Sequence, residues 1–556
     1  MDQFRRFPMK KFLFFVSLFV LMMASATVSA SAVTNGMVKV GLYYGSNALY
    51  SANAQVVTGT GEGFDLGYYD ESRQFVALGD IAASSICVTP DGNIAYGSDG
   101  EITSGSGVSV LGGWHIQLPD VYADFYAAQQ AATACGGYVA CMDGMFYVRR
   151  GSYLSEVEAA NDALMMGGTV VGPSSTGVTV TARGEQTILF QFDYRGWYDL
   201  AVRAQQRGNT PTQTWFKAKK YYGGFQYRRV SGSNSLYVYS VVGLEDYIKC
   251  VAPYEMSNSW PLEALKAQAI CARTYVTRVG ERHSKYGFDV CATEDCQVYY
   301  GVDFQYKSHT TVSDEAVDAT AGLCMYYEGK PIYAVYSASN GGASEDAKNV
   351  WGSKDHPYLA GKADPYESAA SGSISGYHYT VSYTASSLGS RMASRYSGYQ
   401  LGTLASVYVS EYTPNGNVYA VTFVDKSGKT YTVKGETCRL ALGTKSQRFT
   451  INGGNAIRYF VNEGDTIASI GGNYVIGGNG EIKLFNDAAY VITSTGVEEI
   501  GANKQNSADI SGGILIEGTG NGHNVGMSQW GANAMAKQGY SFREILNFYY
   551  TGITIQ

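Results

Sequence analysis

Three groups of residues in this chain have types and spacings that could carry chemistry. The first is a single acid. Glu255 lies in a short irregular stretch between two amphipathic segments, within LEDYIKCVAPYEMSNSWPLEALKAQAICARTYVTR from Leu244 to Arg278. A carboxyl at such a break can be half buried, and burial disfavours its charged form and moves its pKa toward the range of a general acid. The same position also suits a helix-capping or simply solvated glutamate. The second group is His283, Cys291 and Cys296, one imidazole and two thiols within 14 residues. Nitrogen and sulfur donors suit tetrahedral zinc, here in a structural role, with a fourth position left for water or another side chain. A Cys291–Cys296 disulfide or a free thiol pair fits the spacing as well. The third group is polar: Ser337, Ser339 and Asn340 in one glycine-containing loop, and His523, Asn524, Ser528 and Gln529 at a glycine-rich turn before a helix. Backbones approach ligands closely at such places, so Ser337, Asn340, His523, Asn524, Ser528 and Gln529 are candidate substrate contacts. Arg273, on the outward side of the second segment, joins them.

The elements that must hold these groups are legible from periodicity. Leu244, Tyr247, Ile248 and Val251 recur at i, i+3, i+4 and i+7, the apolar face of a helix that Pro253 is expected to end. A second helix is expected from about Ser259 and Pro261, with Leu262, Leu265, Ala269, Ala272, Val276 and Val279 as one apolar stripe and Glu263, Lys266, Arg273 and Thr277 facing away. Trp114 to Gly172 reads strand, helix, strand, strand, helix, strand, a compact sheet with helices on one face. The stretches before it and the one from Gly177 to Tyr239 alternate in the manner of strands. The basic cluster Lys217, Lys219, Lys220, Arg228 and Arg229 reads first as a solvated face.

The run VAPYEMSNSWPLEALKAQAICARTY resembles the signature of the sporulation stage II protein D and amidase-enhancer family. DVCATEDCQVYYG, YSASNGGASEDAKNVWG with HPYL after it, GETCRLALGTKSQRF and GNGHNVGMSQWGANAMAKQGYSFREILNFYYTGI resemble later blocks in the same order. Coverage runs from about Lys219 to the C-terminus. Ser257 departs from the pattern, since many relatives have proline there. The resemblance implies a lytic transglycosylase that cleaves peptidoglycan glycan strands with Glu255 as its acid, in cell-wall remodelling or sporulation. It also implies a metal at positions matching His283, Cys291 and Cys296. The alternative it carries is a non-catalytic wall-binding protein that enhances a partner amidase. YVRRGSYLSEVEA, within residues 112–172, resembles the sporulation-related repeat that binds peptide-stripped glycan.

Composition limits the rest. A formal charge of -7 with 16% charged residues argues against a nucleic-acid phosphate surface. With 67 glycines, 46 tyrosines and 11 prolines, the chain is rich in strands and tight turns. The nine cysteines cannot all pair within one chain. Residues 1–32, with basic residues ahead of an apolar run from Phe12 to Met23, read as a secretory signal or an uncleaved anchor, placing the body outside the cytoplasm or on the wall. The expected fold class is α+β: a β-rich multi-domain chain with a helical catalytic segment. Its expected parts are a β-rich region at 33–111, the βαββαβ unit at 112–172, the first part of the core at 173–370, a β-rich insertion at 371–512 and the end of the core at 513–556. Peptidoglycan strands and a cell-wall amidase are the expected partners. No serine-hydrolase elbow, HExxH motif or dinucleotide fingerprint supports another enzyme class.

Overall fold

The computed structural model describes residues 33–556 apart from 97–101, 104–107, 207, 280–281, 303–311, 453–458, 462–464, 468–473, 477–481, 485–488, 494–495, 501–509 and 511. The leader expected at 1–32 lies outside the described residues. Among those described, no helix is long and apolar enough to cross a membrane.

The chain is α+β. It opens with β1 (Met37–Tyr43), β2 (Gly61–Tyr69) and β3 (Phe75–Ile81), then forms β4 (Trp114–Tyr122), α1 (Phe125–Cys135), β5 (Tyr138–Met142), β6 (Met145–Tyr153), α2 (Glu156–Met166) and β7 (Thr169–Val171). The last six are the strand, helix, strand, strand, helix, strand run read from periodicity. They lie in the order β7-β4-β6-β5, a split βαβ arrangement. Local chemistry sets both helices. Asp124 caps α1 by accepting from the Ala127 N–H, and Gly136 ends it in the left-handed region. Ser155 and Glu158 close a capping box on α2.

Next come β8 (Ile188–Asp193), β9 (Leu200–Gln206), β10 (Gly224–Arg229) and β11 (Leu236–Gly243), followed by α3 (Leu244–Glu255), α4 (Leu262–Arg278) and β12 (Val290–Cys291). One sheet of seven strands has the order β12-β1-β11-β10-β9-β2-β3. Strand β8 runs parallel to β5, so the βαββαβ unit continues into a sheet of ten strands. The boundaries drawn in sequence at 111 and 173 therefore do not separate sheets. β1 pairs with β11 some two hundred residues away, Val40 opposite Ser240. Both sheets close on one core, with Val38, Val40 and Phe64 meeting Val139, Phe190 and Phe125.

Helix α4 is the wall between that core and a second one. Ala269, Ala272 and Val276 face the sheets, whereas Ala264, Leu265 and Ile270 pack with Met527, Ala532, Met535, Ile545 and Tyr549 from the C-terminal end. The single core-facing stripe expected for this helix is thereby corrected: every residue from Ala264 to Val276 except Lys266 is buried, Arg273 included. A third core, built on Leu388, Val407, Val421, Phe423, Leu442 and Ile516, belongs to residues inserted between the two halves of the second.

Candidate active site

Proline at 253 does not end the helix. Pro253 sits inside α3, and the Met256 N–H still donates to the Ala252 carbonyl at 3.0 Å. Proline removes one N–H bond and crowds the carbonyl four residues earlier, but the last turn needs neither to close. Glu255 is consequently the final residue of α3, not part of an irregular turn. The carboxylate sits at the negative end of the helix dipole. After it, Ser257 fixes the turn through its hydroxyl, 2.9 Å from Ser259 Oγ and accepting from the Ser259 N–H at 3.3 Å.

Glu255 is half-buried, and burial raises its pKa above the ordinary carboxylate value. Hydrogen bonds from the Tyr336 hydroxyl, the Gln529 side chain and the Val298 N–H act in the opposite direction, while Glu294 adds repulsion. The Gln529 Nε2 group donates to Glu255 Oε2 at 3.3 Å. Behind Tyr336 stands a relay: Tyr247 donates to Gln297 Oε1 at 3.0 Å, and Gln297 Nε2 donates to the Tyr336 hydroxyl at 3.3 Å. One pair of two-residue strands brings the donors together. Tyr336–Ser337 runs parallel to Met527–Ser528, placing Tyr336 beside Met527 and so Gln529 within reach. Trp260 and Trp530, both half-buried, pack on each other with centroids 4.7 Å apart.

Of the polar candidates, Gln529 alone has a hydrogen bond to Glu255 among the described contacts. His523 acts one step back. Its Nδ1 accepts from the Val525 N–H at 3.1 Å, its other side bonds the Tyr336 backbone, and burial pulls its pKa down to about 4. A neutral imidazole with both nitrogens committed steadies the strand that carries Tyr336.

The remaining candidates are corrected. Arg273 is fully buried, held by Glu245 at 2.9 and 2.6 Å and by the Leu323 carbonyl at 3.2 Å, so it cannot meet a glycan. Asn340 gives its amide to Asp364 at 2.8 Å and its oxygen to the Gly342 N–H. Asn524 donates to the Asn340 carbonyl at 2.9 Å from a left-handed backbone, φ 64°. Ser528 caps the helix Gln529–Lys537 and donates to Glu367. Ser337 is buried beside Gly522, where any Cβ would fall 2.4 Å from its own.

Asn340 and Ser528 serve buried carboxylates that sequence reasoning missed. Glu367 is fully buried and accepts from Ser339, the Asn340 and Gly341 N–H groups and Ser528. Glu345 accepts from Thr413 at 2.6 Å and Asn417 at 2.9 Å, tying the inserted residues to the core. The one local signal was Asp364, which caps Pro365–Ala370 three residues before Glu367.

The second cluster does assemble. Ligand atoms of His283, Cys291, Asp295 and Cys296 all lie within 4.8 Å of one another, with His283 Nε2 3.1 Å from Cys296 Sγ. Both cysteines are free thiols in the structure. The Cys296 thiol, hydrogen-bonded to Cys291, holds Cys291 well below the usual thiol range, so one of the two sulfurs carries the charge. Donor types and spacing fit a tetrahedral zinc ion, and Asp295, which was not anticipated, offers a fourth ligand while also pairing with Arg282.

A family model described as "Stage II sporulation protein" matches residues 232–327, the segment that contains Glu255, His283, Cys291 and Cys296. The chain is 31% identical over 337 residues to an uncharacterised protein of Brachyspira hyodysenteriae, covering 60% of this chain and 72% of that one. It is 30% identical over 318 residues to the amidase enhancer of Bacillus subtilis, spanning 55% of this chain and 40% of that longer protein. With the stage II sporulation protein D of Bacillus amyloliquefaciens it shares 27% identity over 327 residues, 56% of this chain and 74% of the relative. The chain belongs to the stage II sporulation protein D family.

Proposed function

We propose that the protein is a peptidoglycan lytic transglycosylase with Glu255 as its single acid and base. The observation that carries the reading is the acid's setting: burial favours its protonated form, while Tyr336, Gln529 and Val298 wait to receive its negative charge. Protonated Glu255 donates to the glycosidic oxygen as the C1–O bond breaks. The resulting carboxylate, held by those three donors, then takes the proton of the muramoyl C6 hydroxyl as that oxygen closes on C1. Glu255 is restored and water is not consumed. Because the nucleophile belongs to the substrate and is already positioned, one carboxyl serves both steps. Hydrolysis would use a second carboxyl. Glu294 is exposed and close enough to repel Glu255, which makes it the residue to test for that role.

His283, Cys291, Cys296 and Asp295 would hold a structural zinc ion, which when bound pins the loop after α4 to β12. The protein acts outside the cytoplasm, secreted, wall-associated or anchored through residues 1–32. A second reading is supported by the similarity to a protein named amidase enhancer: a glycan-binding protein that stimulates a partner amidase without an acid at 255.

The test is incubation with peptide-stripped glycan and identification of the new ends. Anhydromuramoyl ends that vanish in Glu255→Gln are expected. Reducing ends that vanish in Glu294→Gln would mean hydrolysis, and no ends with amidase stimulation intact would favour the enhancer.

A further inference from the structure

The outer face of the seven-stranded sheet carries a cleft of about 430 Å³, away from Glu255, between β2, β3, β9 and β10. Two rings lie on it where the strands lack side chains. A Cβ at Gly224 would fall 2.5 Å from the Tyr69 hydroxyl, and one at Gly67 would fall 2.9 Å from the Phe75 ring. At Gly224 the absent side chain leaves room for the Tyr69 tip, and at Gly67 it clears both the neighbouring strand's Val76 carbonyl, 2.1 Å from such a Cβ, and the Phe75 ring.

Around the rings stand two ion pairs. Arg203 Nε donates to Asp65 Oδ2 at 2.8 Å, and its guanidinium lies 4.3 Å over the Phe75 ring with 47% of the side chain exposed. Arg73 holds Asp289 in a two-pronged bond at 2.6 and 2.5 Å and reaches the Met37 carbonyl at 2.8 Å. Each guanidinium is matched by a carboxylate. The cleft therefore has little net charge to attract an anion, yet it offers fixed planar donors and acceptors beside flat apolar faces. That combination suits a neutral polyhydroxylated ring, whose C–H face stacks on an aromatic side chain while its hydroxyls pair with both kinds of group. The size is that of a small-ligand pocket.

We propose that this cleft binds a saccharide segment of the glycan strand, as an accessory subsite to the Glu255 centre. The proposal rests on the glycan reading above. The rim supports it: the Leu244 N–H donates to the Gly36 carbonyl at 2.8 Å, so the cleft's edge is tied to the first residue of α3. Glu255 ends the same helix, about 16 Å further along its axis. A strand of a few sugars reaches across that distance, and holding it at the cleft raises its local concentration at the acid.

The experiment measures retention of the purified protein on peptide-stripped glycan, with every protein carrying Glu255→Gln so that cleavage does not enter. Arg203→Ala and Phe75→Leu should each reduce retention about five- to tenfold. The first replaces an exposed side chain and the second keeps apolar volume, and melting temperatures check that both remain folded. Wild-type retention in both folded variants overturns the proposal. Displacement by sulfate as effective as by soluble oligosaccharide overturns it in favour of an anion site. The lytic reading is judged separately, from anhydro ends made by protein with Glu255 intact; absent ends with retention lost in the Arg203 variant would refute that reading and leave the cleft standing.

Discussion

Tyr336→Phe isolates one of the three donors on which the proposed chemistry depends. The hydroxyl donates to Glu255 and itself accepts from Gln297, so its loss removes a hydrogen bond to the charged form while leaving the ring in place. A hydrogen bond to a charged group contributes about 1.5–3 kcal/mol, and the half-buried setting argues for the lower end. At 1.36 kcal/mol per pH unit, Glu255 in the variant should titrate about one unit higher than in the wild type. The sign follows from the reaction. Chemistry begins with the protonated acid, so the rate falls as pH rises through this pKa, and the basic limb of the profile must move to higher pH. On the acidic plateau the rate should drop about tenfold, because the carboxylate formed as the proton leaves has lost the same bond. The assay is initial rates of anhydro-end formation from peptide-stripped glycan between pH 4 and 9. A limb that stays put, or moves to lower pH, would refute the reasoning, since Tyr336 would then not act on the carboxylate that limits the rate.

Glu255→Gln should lower the rate by roughly 10²–10⁴, and also make the protein melt higher at neutral pH. The folded pKa is raised, so the stability linked to protonation is complete below the unfolded carboxylate pKa and lost as pH rises through the folded one. The advantage of the variant should therefore fade in acid, and melts across pH that show a constant gap would contradict this. Arg273→Ala strands the Glu245 carboxylate and should cost about 3 kcal/mol in urea unfolding, without changing retention on glycan in any variant that remains folded. Near-wild-type stability would show that the pair does not hold α4 to α3. Metal analysis of purified protein should find about one zinc per chain, lost in Cys296→Ser together with several degrees of melting temperature; metal-free protein with an unchanged melt would remove zinc from the account.

Legibility followed the range of the interaction. The helices around Glu255, the βαββαβ unit and the His283, Cys291, Cys296 cluster depend on neighbours within a few turns, and each was readable from spacing. The substrate contacts were not. Asn340 and Ser528 have the chemistry of sugar ligands, but they serve Asp364 and Glu367, carboxylates whose burial no local pattern announces, and Asn524 is spent on the Asn340 carbonyl. Arg273 looked outward on a helix wheel because periodicity assumes one buried face, and α4 has two. Tyr336 stands just before the polar loop of Ser337, Ser339 and Asn340, and nothing in its sequence neighbourhood announces that its hydroxyl reaches the acid.

By itself, the order of residues determined that an acid would follow an amphipathic helix, that an imidazole and two thiols would lie close together, and that the chain would mix helices with many short strands. Periodicity, capping and turn chemistry are properties of adjacent residues, and they survive without the rest of the molecule. Only the tertiary structure decided that Pro253 lies within a helix, that β1 completes a sheet with β11, and that Tyr336 and Gln529 converge on Glu255. Those outcomes depend on pairings between residues dozens to hundreds of positions apart, and burial, which raises the pKa of Glu255, is a property of everything packed around it.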